Sequence, residues 1–72
     1  MIIYLHHYAD EKPQVISEEK LRSILSDEID SNLESFEVDY GQMIPNPETI
    51  PLDECVDILM YCQDNFTVWI EE

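Results

Sequence analysis

Residues 27–40 read DEIDSNLESFEVDY, and the folding of this stretch decides the architecture of the chain. Its second half alternates: Phe36, Val38 and Tyr40 are interleaved with Ser35, Glu37 and Asp39. Period-two alternation predicts a strand with one buried and one acidic face. Such a strand belongs to a sheet covered on one side only, hence antiparallel or mixed. Gly41 would end it.

The first half of the stretch closes a helix. Ser17 is placed as its N-cap, with Ile16 and Leu21 at hydrophobic-staple positions and Glu18 and Glu19 in the first turn. Leu21, Ile24, Leu25, Ile29 and Leu33 then recur with helical spacing, which predicts a helix from about Ser17 to Leu33. Its far end carries Asp27, Glu28 and Asp30, with Glu34 just beyond. The helix dipole favours cations there, so each acid costs about a few tenths of a kcal/mol. Asp27 and Asp30 share a face, and Glu34 would continue the same ridge. After Arg22 the chain has thirteen acids and no Lys or Arg to pair with them. Local stability does not account for these acids.

Outward from this centre, MIIYLHHY at residues 1–8 predicts a strand. Both of its faces are largely apolar, which places it centrally in the sheet. Residues 9–16 read as a loop around Pro13. The segment 42–50, QMIPNPETI, reads as an extended loop that docks Met43 and Ile44 on the core. Pro51 suits the start of a second helix. Leu52, Cys55, Val56, Leu59, Met60 and Gln63 form its inward stripe. Asp53, Glu54 and Asp57 lie on or beside its outer face, and Asp64 at its end. Residues 66–70, FTVWI, predict a last strand with Phe66, Val68 and Ile70 on one face and Thr67 and Trp69 on the other.

The expected fold is therefore α+β, in the order β-α-β-α-β, as one domain over residues 1–72. Two helices cover one face of a three-stranded antiparallel or mixed sheet. The opposite face would carry Tyr4, His6, Tyr8, Glu37, Asp39, Thr67, Trp69 and Glu71: an aromatic centre with an acidic edge, the anatomy of a contact surface. Tyr4, Tyr8 and Trp69 are the candidate hot-spot cluster, or the interface of a homodimer.

Composition narrows the function. A hydrophobic content of 44% suits a folded domain rather than an acidic tail. The formal charge of −14 exceeds the magnitude of roughly 2 to 8 that solubility asks of a small domain. Three Lys and Arg residues cannot neutralise a run of phosphates or an anionic membrane surface. Direct nucleic-acid binding is thus nearly excluded, binding to an anionic membrane surface fails for the same reason, and a partner is expected to be basic. The N-terminus has no basic region before its short apolar run, so no signal peptide is expected, and no stretch is long enough to span a membrane. Cys55 and Cys62, seven residues apart on one helix, are about 10 Å apart along its axis, too far for a mutual disulfide. They suggest buried thiols in a reducing cytoplasm.

No catalytic motif is present, and no cofactor or metal is expected. Asp30-Ser-Asn32-Leu-Glu34 imitates the opening of a calcium loop. Ser35 then stands where glycine is needed, and Gly41 where the bidentate Glu is needed. His6 and His7 point to opposite faces of a strand, and with Cys55 and Cys62 they lack the spacing of a zinc site.

The acids are the remaining candidate. An ordinary charged face is simply solvated. Here the near-absence of bases and the cost to the first helix argue for use. Acids three or four residues apart on a helix are spaced about 5–6 Å apart, and can present a ribbon of charge to a groove that binds DNA. In size, acidity and mixed α/β character the chain resembles the small DNA-mimic inhibitors of bacteriophages, which block restriction enzymes, CRISPR effectors, uracil-DNA glycosylase or the HU nucleoid protein. The resemblance is one of character and rests on no shared motif. It is carried by Asp27, Glu28, Asp30, Glu34, Glu37, Asp39, Asp53, Glu54, Asp57 and Asp64. It implies a non-enzymatic, often dimeric inhibitor acting in the bacterial cytoplasm, with HU the favoured target by analogy. The alternative is a small acidic interaction or immunity-type module that binds through its aromatic sheet face.

Overall fold

A computed structural model describes residues 1–62 and 64–72. In order, the elements are strand β1 (Ile2–His7), strand β2 (Gln14–Ile16), helix α1 (Glu18–Ser31), helix α2 (Leu33–Tyr40), a 3-10 turn (Gly41–Met43), helix α3 (Leu52–Cys62) and strand β3 (Phe66–Glu71). The class is α+β. The three strands form one antiparallel sheet in the order β2-β1-β3, so β1 is central as its two apolar faces predict.

The expected middle strand is a helix. Phe36 and Tyr40, read as alternate residues of a strand, are also four apart. On α2 their rings stack with centroids 5.7 Å apart, while Val38 is 81% exposed. Over five residues the periods of two and 3.6 share these positions, and tertiary pairing decides between them. The second strand comes instead from the expected loop. Gln14–Ile16 turns back on β1, pairing Ile3 with Ile16 and Tyr4 with Val15. With β3 on its other side, β1 has no free edge for residues 36–40. Among the described residues there are consequently three α-helices rather than two, and the order β-α-β-α-β is replaced by β-β-α-α-α-β.

Ser17 caps α1 as expected, its Oγ accepting from the Lys20 N–H at 3.0 Å. The helix stops at Ser31, short of Leu33, because Asn32 leaves helical geometry (φ −127°, ψ 35°). Asn32 serves both neighbouring helices. Its N–H donates to the Glu28 and Ile29 carbonyls, its Nδ2 donates to the Glu28 carbonyl and carboxylate, and its own carbonyl accepts from the Phe36 N–H. Such local competition is typical of Asn. Gly41 does end its element, but that element is α2. Its φ of +61° suits glycine, and its N–H donates to the Glu37 carbonyl.

One hydrophobic core joins sheet and helices. Ile3 and Leu5 of β1 and Phe66 and Val68 of β3 meet Leu21, Leu25 and Ile29 of α1, Phe36 of α2, and Cys55, Ile58 and Leu59 of α3. Leu52, Val56 and Met60 pack partly against it. Ile58 joins the core from outside the predicted stripe. Gln63, a member of that stripe, lies outside the described residues. Ile44 docks on the core as expected, but Met43 is exposed. Arg22 pins the loop beneath: its Nη1 donates to the Pro47 carbonyl at 2.9 Å and the Ile50 carbonyl at 2.7 Å. The result is a two-layer slab whose Cα extents are 37 × 25 × 15 Å, with the helices on one face of the sheet and, among the described residues, no helix on the other.

Candidate acidic partner surface

The helical layer carries the charge. Of the seventeen acids, eleven lie on α1, α2 and α3, and one, Glu71, lies in a strand. All are exposed except Glu28, which is half-buried. The one salt bridge among the described residues joins Arg22 to Glu18 at 3.0 Å, within α1 and away from the acid-rich end. Each helix places two acids on one face: Asp27 with Asp30, Glu34 with Glu37, and Asp53 with Asp57. By helix geometry the members of each pair are about 5–6 Å apart.

The layout differs from the expected one in three ways. The ridge from Asp27 through Asp30 does not run on to Glu34, because the chain bends at Asn32. Glu34 is no longer at a helix C-terminus; it lies in the first turn of α2, where the dipole favours it. Glu37 and Asp39 leave the sheet face altogether and join the helical layer. Asp64 lies in the turn between α3 and β3, on none of the helices.

Where α1, α2 and α3 converge there is a cleft of about 200 Å³ that sequence reasoning missed. Glu28, Asn32, Ser35, Phe36, Asp39, Tyr40, Tyr61 and Cys62 line it. The thiol of Cys62 is held above the ordinary thiol range, by burial first and then by the charges of Glu28 and Asp39. Tyr40 is likewise raised, by burial and then by Cys62, Asp39, Tyr61 and Glu54. Acids from three helices therefore act on one spot. The cysteines are both free, but only Cys55 is buried; Cys62, partly desolvated where it lines the cleft, is exposed as a residue, against expectation. The available signal was Tyr61, which falls off the inward stripe of α3; Cys62, seven residues on from the buried Cys55, shares that face at the last turn of the helix.

The outer sheet face does gather the aromatic residues. Tyr4 and Trp69 are cross-strand partners and stack with ring centroids 5.2 Å apart. Tyr8 joins them through its hydroxyl, which accepts from Thr67 Oγ1 at 3.2 Å. His6 shares this face and donates from Nε2 to the Asp10 carbonyl at 3.0 Å, whereas His7 packs edge-on against Phe66. Among the described residues, no three His, Cys, Asp or Glu side chains are grouped to hold a metal. The stretch that imitates a calcium loop is helical on both sides of Asn32. No helix of the described residues is long and apolar enough to cross a membrane. No family model, curated protein or solved structure matches this chain.

Proposed function

We propose that this chain is a non-enzymatic DNA-mimic inhibitor. It occupies the nucleic-acid-binding surface of a basic bacterial DNA-binding protein in the cytoplasm. An HU-type nucleoid protein is the first target to test, followed by restriction and CRISPR effectors. One observation carries the reading. Eleven acids are concentrated on the helical layer, nine of them beyond Arg22, after which the chain has no Lys or Arg, and the sheet is almost free of acids. Paired carboxylates on three helices give a surface whose charge spacing approaches that of a phosphate backbone. Binding of this kind is fast and weakens with salt.

The test is displacement of labelled duplex DNA from purified HU, followed by fluorescence anisotropy across a salt series. The wild-type chain is expected to displace DNA, less well as salt rises. A D27N/D30N/E34Q variant with an unchanged circular dichroism spectrum is expected to lose that activity. Failure to displace DNA from HU and from a panel of restriction and CRISPR effectors would overturn the reading. A second reading, an interaction or immunity-type module, is favoured by the exposed Tyr4–Trp69 stack. It would show as partner binding that survives the acid changes but not Trp69→Ala.

A further inference from the structure

The sheet face opposite the helices has an apolar and aromatic centre with little charge, flanked by His6 and Thr67 and by Glu71. Ile2, Tyr4, Val15 and Trp69 lie across all three strands in register, Val15 opposite Tyr4 and Tyr4 opposite Trp69. Val15 is 68% exposed and Trp69 37%. Of seventeen acids, only Glu71 lies in a strand of this sheet, and it sits at the sheet's end opposite Ile2. In so acidic a chain, a face without charge at its centre is a selected surface. Depletion of charge with enrichment of aromatics marks the core of an interface.

We infer that this face docks on the same face of a second copy of the chain. Charge selects the occupant. A basic partner would gain nothing from an uncharged aromatic face while the helical layer offers its acids. For two copies of a −14 chain the situation is reversed, because the sheet faces are where they can meet without opposing acids. A two-fold contact would bring the Tyr4–Trp69 stack of one copy against that of the other. The two sheets would lie about 10 Å apart, as in sandwiches. Both helical layers would then point outward, giving the dimer two acidic surfaces on opposite sides.

Area sets the strength. Three strands about 4.8 Å apart and six residues at about 3.4 Å each make a face roughly 14 by 20 Å. With its raised side chains it buries on the order of 400–500 Å² per copy, about half the ~800 Å² of a stable interface. The dimer is therefore expected to be weaker than one with an interface of standard size. Salt should tighten it, because screening removes the long-range repulsion between the two charged layers.

This inference does not rest on the inhibitor reading, and the two respond oppositely to salt. The experiment is sedimentation equilibrium of the full chain at rising protein concentration in low and high NaCl. The expected result is a monomer–dimer equilibrium that strengthens with salt. Val15→Glu, a surface change on the short edge strand, should weaken it at least about tenfold. Trp69→Glu should do the same, and D27N/D30N/E34Q should leave the face competent. The inference is overturned by a chain that stays monomeric at millimolar concentration in high salt. It is equally overturned by a dimer indifferent to Val15→Glu, or by a different protein occupying this face on a monomeric chain.

Discussion

The two faces of this slab are opposites. The helical layer carries eleven acids over a fully buried core that includes Leu21, Leu25 and Leu59. The outer sheet face carries aromatic and β-branched side chains over no core of its own. Stability and charge thus share the helical side, while the uncharged side contributes little to either. The lesson is that helices whose inward faces are already committed to a core can carry acids on their outward faces at a cost that the core offsets. An exposed sheet face has no such inner reserve, so its apolar residues point to an intermolecular use.

Changes to each side can break this contrast. The largest effect is expected from Leu25→Ala, which empties a fully buried position and should cost about 2–5 kcal/mol, enough to unfold much of so small a domain. Val15→Ala on the outer face should stay within about 0.5 kcal/mol in the monomer. Urea midpoints compare the two, and a similar loss at both positions would show that the outer face is part of the folding core after all.

Next in size is Arg22→Ala. Its guanidinium is partly buried and donates to the carbonyls of Pro47 and Ile50. Leaving those carbonyls without their donor should cost about 1–3 kcal/mol. The loss should be accompanied by faster amide exchange in residues 44–50, and unchanged exchange there would place the pinning elsewhere.

A smaller effect sharpens the view of the acidic layer. Neutralising any acid relieves repulsion in a −14 chain. Asp30 sits against the dipole at the end of α1, whereas Glu34 sits with it in the first turn of α2. Asp30→Asn should therefore raise the urea midpoint, and Glu34→Gln should fall below it by about 0.5 kcal/mol. Equal gains from both would mean that α2 is not an independent helix with its own N-terminus.

The smallest effect concerns the cleft. Because burial, Glu28 and Asp39 all raise the Cys62 thiol, its alkylation at mildly alkaline pH should be slower than that of a free thiol. Asp39→Asn should speed it, while Cys55 stays unreactive until unfolding. Burial raises both thiols in the fold. Their contribution to stability is thus complete below the ordinary thiol value and lost as pH climbs through the folded values. An alkylation profile that Asp39→Asn leaves in place would remove Asp39 from the cleft.

Much of this was legible in the chain. Ser17 announced α1, the apolar stripe from Leu52 announced α3, and the two-faced apolar run at residues 2–7 announced a central strand. The aromatic members of the outer face followed from alternation alone. Two elements were not legible. Residues 36–40 fit two periods at once, and β2 has only three residues, which makes it too short for any period to show.

What the sequence determined by itself is the class, the single layer of helices, the excess of acid and the absence of bases to offset it. These follow from composition and from periodic patterns long enough to be unambiguous. The tertiary structure alone decided which segment lies beside β1. A strand exists only through its partner. Gln14–Ile16 pairs with β1 after a short local turn and β3 fills its other edge, so residues 33–40 do not lie beside β1; as a helix they satisfy their own backbone groups and carry Glu34, Glu37 and Asp39 to the charged side.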